Sequence, residues 1–174
     1  MQKTKTINKN LYTILERTGE TDLSAYSETL LNKKIIIVKS KFHNEITSSI
    51  VFDFLNSLPK NLINIVGIIE TPGSFEIPLI IKKILQEHKP DIILATGCII
   101  KGETKHNDYL ASTVINALRN LSLEFTIPII NGVLTTENTQ QAIDRAGKKY
   151  RKGCEFASNA ELMIKQFHKL NNSV

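Results

Sequence analysis

The sequence has no Trp, and aromatic residues make up only 6% of its 174 positions. That scarcity removes the aromatic stacking platform on which single-stranded nucleic acids are held. Cysteine is nearly absent too. Cys98 and Cys154 are too few for a disulfide framework and have no metal-ligand spacing, so no metal is expected. No apolar run approaches the ~18–20 residues of a membrane span, and the first residues lack the apolar core of a secretory signal. Nor is there a dense basic block: 22 Lys+Arg against 17 Asp+Glu give +5, spread along the chain. Nucleic acid and membrane are therefore not expected partners, while small anionic substrates remain compatible with the charge. What is present is globular: 41% hydrophobic and 22% charged residues, at a length that predicts one domain at ~100–200 residues each. A soluble, cytoplasmic protein is the expectation.

Residues 1–30 read as a polar Thr/Lys/Asn-rich arm with scattered apolar positions (Leu11, Ile14, Leu15), room for a short helix but loosely held. Residues 31–174 read as a single α/β domain. Four β-branched runs, 34–38, 63–69, 91–96 and 127–130, alternate with helical stretches at 45–57, 76–88, 108–123, 138–147 and 155–170. The runs are apolar on consecutive positions, as strands covered on both faces are. Leu110, Val114, Ala117, Leu118 and Leu121 form one helical stripe. Phe156, Ala160, Met163, Phe167 and Leu170 form another, and Gly147 stands where the fourth helix should stop. The predicted fold is a three-layer sandwich: a four-stranded parallel sheet with helices on both faces, flavodoxin-like.

Such sheets bind ligands beyond the carboxyl ends of their strands. The unusual local chemistry of this chain falls in those four places. After the first strand, Phe42 lies in a loop, where it either staples onto the next helix or stacks on a planar ligand. After the second comes Pro72-Gly73-Ser74-Phe75-Glu76-Ile77-Pro78. Pro78 marks the first turn of a helix, so Ser74, Phe75 and Glu76 sit at its N-terminus. They serve either as ordinary caps, with Ser74 at the cap position, or as a clasp for hydroxyls and anions. After the third, the segment from Gly97 to Tyr109 brackets Cys98, Ile99 and Ile100 between glycines. It then gathers Gly102, Glu103, Thr104, Lys105 and His106 before a helix. Gly102 permits close backbone approach, Thr104 beside a helix N-terminus suits a phosphate, and His106 is a candidate to move protons. Cys98 lacks a partner base and reads as packing. After the fourth, Asn138 with Gln141 resembles a capping box. Arg145 either answers the helix dipole or reaches a phosphate from a neighbouring loop.

These strings, in this order on these strand ends, resemble the 6,7-dimethyl-8-ribityllumazine synthases over residues 30 to 170. Pro72 to Pro78, Gly97 to Tyr109, and Gly132-Val133-Leu134-Thr135-Thr136-Glu137-Asn138 with Arg145-Ala146-Gly147 carry the resemblance. The resemblance implies condensation of 5-amino-6-(D-ribitylamino)uracil with 3,4-dihydroxy-2-butanone 4-phosphate, releasing phosphate and water, with no cofactor or metal. It implies that the pyrimidine stacks on Phe42 and that its ribityl chain lies along Ser74, Phe75 and Glu76. The ring edge would meet the backbone of Cys98, Ile99 and Ile100, with Asn131 and Lys152 nearby. Gly102, Glu103 through its backbone, Thr104 and Arg145 would hold the phosphate, and His106 would transfer protons.

The chain departs from the family pattern at His43 (usually Asn), Lys101 (commonly Arg) and Asn131 (an aromatic in many members). Its segment 148–153 is about one residue short, which bears on Lys152 and Glu155. The family forms homopentamers with sites shared between neighbours, some stacked into hollow shells. The altered connection and long charged arm point here to an isolated pentamer or a pair of pentamers, with riboflavin synthase a candidate partner. The competing readings are a non-catalytic relative binding lumazine or flavin, a flavodoxin-like FMN carrier, and a nucleic-acid binder. The first has no use for a phosphate cradle and a proton carrier. The second lacks its Ser/Thr-rich loop after the first strand, and the third rests on net charge alone.

Overall fold

Runs that are apolar on every position need cover above and below, and the computed structural model, which describes residues 33–58 and 66–172, supplies it. In chain order the elements are β1 (Ile35–Ser40), α1 (Asn44–Ser57), β2 (Val66–Thr71), α2 (Ile77–Glu87), β3 (Ile92–Ile100), α3 (His106–Phe125), β4 (Ile129–Thr136), α4 (Thr139–Ala146) and α5 (Lys152–Asn172). The strands form one parallel sheet in the order β2-β1-β3-β4. Ile35 and Ile37 pack with α1, α4 and α5 on one face, while Val38, Ile93 and Ala95 pack with α2 and α3 on the other. The connections leave β1 in one direction and β2 in the other. A topological switch point therefore lies between β1 and β3, the place where such sheets open to a ligand.

Two strands run further than their apolar runs. β3 continues through Gly97, Cys98, Ile99 and Ile100, and β4 begins after Pro128 and continues to Thr136. The ladder from Ile93↔Ile129 to Ile100↔Thr136 explains the extension. It pairs Cys98 with Leu134 and Gly97 with Val133, so non-local hydrogen bonds carry the strands across residues that look like breakers. Cys98 to Ile100 and Asn131 to Thr136 are thus strand positions rather than loop. The α5 stripe also shifts, burying Phe156, Ala157, Ala160 and Ile164 and leaving Leu170 exposed. Gly147 does end α4, and Asn138 accepts from Gln141 N–H at 2.9 Å as its cap, with Glu137 N–H donating back to Gln141 at 3.1 Å.

The 148–153 segment is held from α1. Asp53 accepts two hydrogen bonds from the Arg151 guanidinium, at 2.7 and 3.2 Å, and one from Cys154 N–H at 2.8 Å. Arg151 adopts a left-handed conformation (φ 47°). Gly153 is required at the crossing, because a Cβ there would meet the Ile50 carbonyl and Asp53. The arm at 1–30 and the start of the second run (Ile63, Asn64, Ile65) lie outside the described residues.

Candidate active site

Ser40 closes β1 and turns the chain: its hydroxyl accepts from Phe42 N–H at 3.1 Å and donates to Phe42 C=O at 3.2 Å. Lys41 and Phe42 N–H groups also reach the carbonyls of Thr71 (2.8 Å) and Pro72 (3.1 Å), tying this turn to the end of β2. The backbone of Phe42 is fastened and its ring stays 64% exposed. A ring stapled onto α1 would be covered, so the stapling alternative falls away. His43 follows at φ 55°, ψ 47°, its ring edge-on to Phe42 with centroids 4.4 Å apart. Among residues with a Cβ, Asn and His enter this left-handed region most readily. That is a physical reason for His at this position.

Beyond β2 the cap position of α2 falls on Glu76, not on Ser74. The Glu76 carboxylate instead reaches back and accepts from Gly73 N–H at 2.9 Å, while Ser74 C=O accepts from Ile77 N–H at 3.3 Å. The Ser74 side chain is buried against β3 because Gly97 lacks a Cβ; one placed there would lie 2.5 Å from Ser74 Oγ. Phe75 points outward, 62% exposed.

At the end of β3, burial pushes the Cys98 thiol up to about 11, so it stays protonated at neutral pH, which supports packing rather than attack. Lys101 Nζ lies 2.6 Å from Glu137, and that hydrogen bond raises its pKa. The chain then passes exposed Gly102, Glu103 and Thr104. His106 is the first residue of α3 rather than a loop residue, its N–H 3.4 Å from Thr104 Oγ1 and its ring exposed. The dipole of this 20-residue helix presents positive potential at the same spot.

These three strand ends enclose one pocket of about 440 Å³. Phe42, Ser74, Phe75, Glu76, Cys98, Ile99, Ile100, Gly102, Thr104 and His106 all line it. Four further residues, His43, Gly73, Asn107 and Leu110, line it without having been expected there. Leu110 could have been found, since it stands one turn beyond His106 on the same helix face. Buried Asn107, donating to Asp108 at 2.7 Å, carries no sequence signal of its own.

Four expected residues do not line the pocket. Asn131 accepts from Val133 N–H on β4 at 3.1 Å, and Lys152 pairs with Glu155 at 2.6 Å. Arg145 donates to Gln141 C=O at 3.4 Å and lies 5.9 Å from the Tyr150 ring. Glu103 stands on the rim outside the lining. A larger hollow, about 600 Å³, lies where the strands begin, between Lys33, Phe125 and His168. It sits at the opposite end from the carboxyl edge, and the smaller pocket is the one with converging chemistry. Among the described residues no three His, Cys, Asp or Glu side chains converge as a metal site requires.

Residues 32–168 match the family model described as 6,7-dimethyl-8-ribityllumazine synthase. The chain belongs to the 6,7-dimethyl-8-ribityllumazine synthase family. Two curated relatives bear that name. One, from Thermococcus kodakarensis, is 37% identical over 137 residues, 79% of this chain and 88% of the relative. The other, from Thermococcus gammatolerans, is 36% identical over 134 residues, 77% and 87% of the two. As a lumazine synthase family member the chain is an enzyme, a transferase of riboflavin biosynthesis that uses small-molecule substrates. Its α/β fold, with four parallel strands, is the one that the alternation of apolar runs and helical stretches predicts. Among the described residues no helix is long and apolar enough to cross a membrane.

Proposed function

We propose that the rim pocket is where this enzyme condenses 5-amino-6-(D-ribitylamino)uracil with 3,4-dihydroxy-2-butanone 4-phosphate to 6,7-dimethyl-8-ribityllumazine. The observation that carries the reading is the convergence of Phe42, Glu76, Thr104 and His106 on one pocket. Phe42 offers the pyrimidine a flat, uncovered ring. Glu76 and the backbone at Ser74 and Phe75 face the ribityl hydroxyls, and the strand edge at Cys98, Ile99 and Ile100 faces the ring. Thr104, the backbone at Gly102 and Glu103, and the N-terminus of α3 hold the phosphate. An amine must add to a ketone, water and phosphate must leave, and the ring must close. Each step moves protons, and the exposed imidazole of His106 at the pocket mouth is placed to carry them. General acid–base help of this kind is worth ~10²–10⁴-fold, and orientation of two reactants up to ~7–11 kcal/mol. His106→Ala therefore slows turnover without abolishing it.

Arg145, Asn131 and Lys152 complete the site from a neighbouring copy. In the described protomer they are away from the pocket, and several apolar side chains, among them Phe52, Leu79 and Leu123, are exposed and available for burial between copies. The assembly is a pentamer or a pair of pentamers. One domain spans 31–174, in keeping with a family match over 32–168. The cytoplasm suits a chain whose Cys98 and Cys154 are both free.

The test is a set of steady-state constants from the product's absorbance, beside a no-enzyme control. Phe42→Ala and Glu76→Gln raise KM for the pyrimidine, whereas Thr104→Val and Arg145→Ala raise KM for the butanone phosphate. The reverse pattern, or His106→Ala at the parent rate, contradicts the assignment.

A further inference from the structure

β1 closes with a lysine where its apolar run would end. The side chain of Lys39 is not in solvent but 6% exposed on the α1 face of the sheet. Its ammonium donates to Asn44 Oδ1 at 2.6 Å and Ser48 Oγ at 3.0 Å, and pairs with the Glu70 carboxylate at 3.1 Å. Asn44 and Ser48 belong to the first turns of α1, while Glu70 is the β2 residue directly opposite Lys39 in the ladder. The three attachments lie on either side of the turn that presents Phe42 and His43. The cap residue His43 makes no side-chain cap bond, so the side-chain ties across the turn are Thr47 Oγ1, which donates to Ser40 C=O at 2.9 Å, and the Lys39 ammonium, which alone among the described residues joins α1 to β2 through a charge.

A cation beside a helix N-terminus is opposed by the dipole. A buried ion pair seldom stabilises more than a well-packed apolar replacement. Stability alone is thus a weak reason for a lysine here, and geometry is the stronger one. We propose that Lys39 is a positioning residue: it locks the start of α1 to β1 and β2, so that the Phe42 ring is held at the angle that receives the pyrimidine. The proposal rests on the reading of Phe42 as the stacking ring, and its test separates the two.

Lys39→Met keeps the stem and removes the charge. It strands no buried partner, because Asn44 is exposed and Glu70 is 46% exposed with Lys41 also 3.8 Å away. Releasing one side chain's worth of order predicts that KM for the pyrimidine rises about 2- to 10-fold. kcat and KM for the butanone phosphate stay at parent values, and the melting temperature does not fall. Asn44→Ala, which cuts the same clamp at its solvent end, shifts the same constant in the same direction. In a Phe42→Ala background, Lys39→Met adds nothing further. If Phe42→Ala raises the pyrimidine KM and neither Lys39→Met nor Asn44→Ala does, the positioning role is wrong while the stacking role stands. An undiminished Lys39→Met effect in the Phe42→Ala background overturns it as well. If Phe42→Ala itself leaves KM unchanged, the stacking assignment fails first, and the positioning role with it.

Discussion

Gly97→Ala puts the geometry of the pocket wall to a sharp test. Gly97 is a β3 residue over which the 73–76 segment closes, and the added methyl would lie 2.5 Å from Ser74 Oγ, 3.2 Å from Ser74 Cβ and 3.3 Å from Ile77 Cδ1. Unstrained non-bonded contacts between heavy atoms lie near ~3.5–4.0 Å, so the Ser74 hydroxyl must rotate away. Ser74 Cβ and Ile77 Cδ1 must each give by a few tenths of an ångström as well. The segment carrying Phe75 and Glu76 shifts with them. Overpacking of this kind costs about 1–3 kcal/mol, which for a chain of this size lowers Tm by several degrees at ~2–4 °C per kcal/mol. Catalysis falls as well, since Phe75 and Glu76 ride on the shifted segment and the reaction is sensitive to small misplacements. The assay is Tm by scanning calorimetry alongside kcat/KM from product absorbance. Gly67→Ala serves as the control, because nothing lies within 4 Å of its added methyl. Parent-like activity and stability in Gly97→Ala, or losses no greater than those of Gly67→Ala, would refute the close approach of Ser74 to β3.

Three further outcomes follow from the same structure. Thr96 Oγ1 is buried without a partner, so Thr96→Val relieves a desolvation cost and raises stability by about 1 kcal/mol in denaturant titration; a loss instead would mean that the hydroxyl is satisfied. The folded-state pKa of Cys98, about 11, exceeds its ordinary value of 9.0. The unfolded chain therefore gives up its proton first as pH rises. The Cys98 contribution is intact below pH 9 and is lost between pH 9 and about 11, at ~1.4 kcal/mol per unit; Cys98→Ala flattens that part of the pH–stability curve, and an unchanged slope contradicts the assignment. Asp53→Ala removes the acceptor of both Arg151 and Cys154 N–H and costs about 1–3 kcal/mol. Arg151→Ala, at an exposed guanidinium, costs less, and equal losses would show that the Cys154 cap contributes nothing.

The sheet was legible because continuous apolarity at 34–38 and 91–96 admits few alternatives, and the strand-end rule then located three of the four loops. What failed to read was non-local. Gly97 and the Asn131-Gly132 pair resemble breakers until the β3–β4 ladder carries the strands through them. Ser74 looks like a helix cap until Gly97 lets it bury against β3, leaving the cap position to Glu76. Lys39 carries no sequence signal of burial, because the side chains that enclose it come from α1 and β2. Arg145 could not be placed relative to the pocket at all, since its helix packs on the α1 face and the residue points to Gln141 and Tyr150. Local patterns carried the elements; the pocket walls depended on contacts between distant segments.

Three loops of one protomer and Arg145 of another are proposed to form a single working site, and subunit mixing is the decisive measurement. His106→Ala and Arg145→Ala proteins are assayed separately, then co-denatured, refolded together at equal ratio and assayed again. Random assembly across a heterologous interface leaves about a quarter of the sites with both native residues, so the mixture recovers roughly that fraction of the parent rate, well above either variant alone. A mixture that never exceeds the average of its two components would show that both residues serve the same protomer's site, and the shared-site account would be wrong.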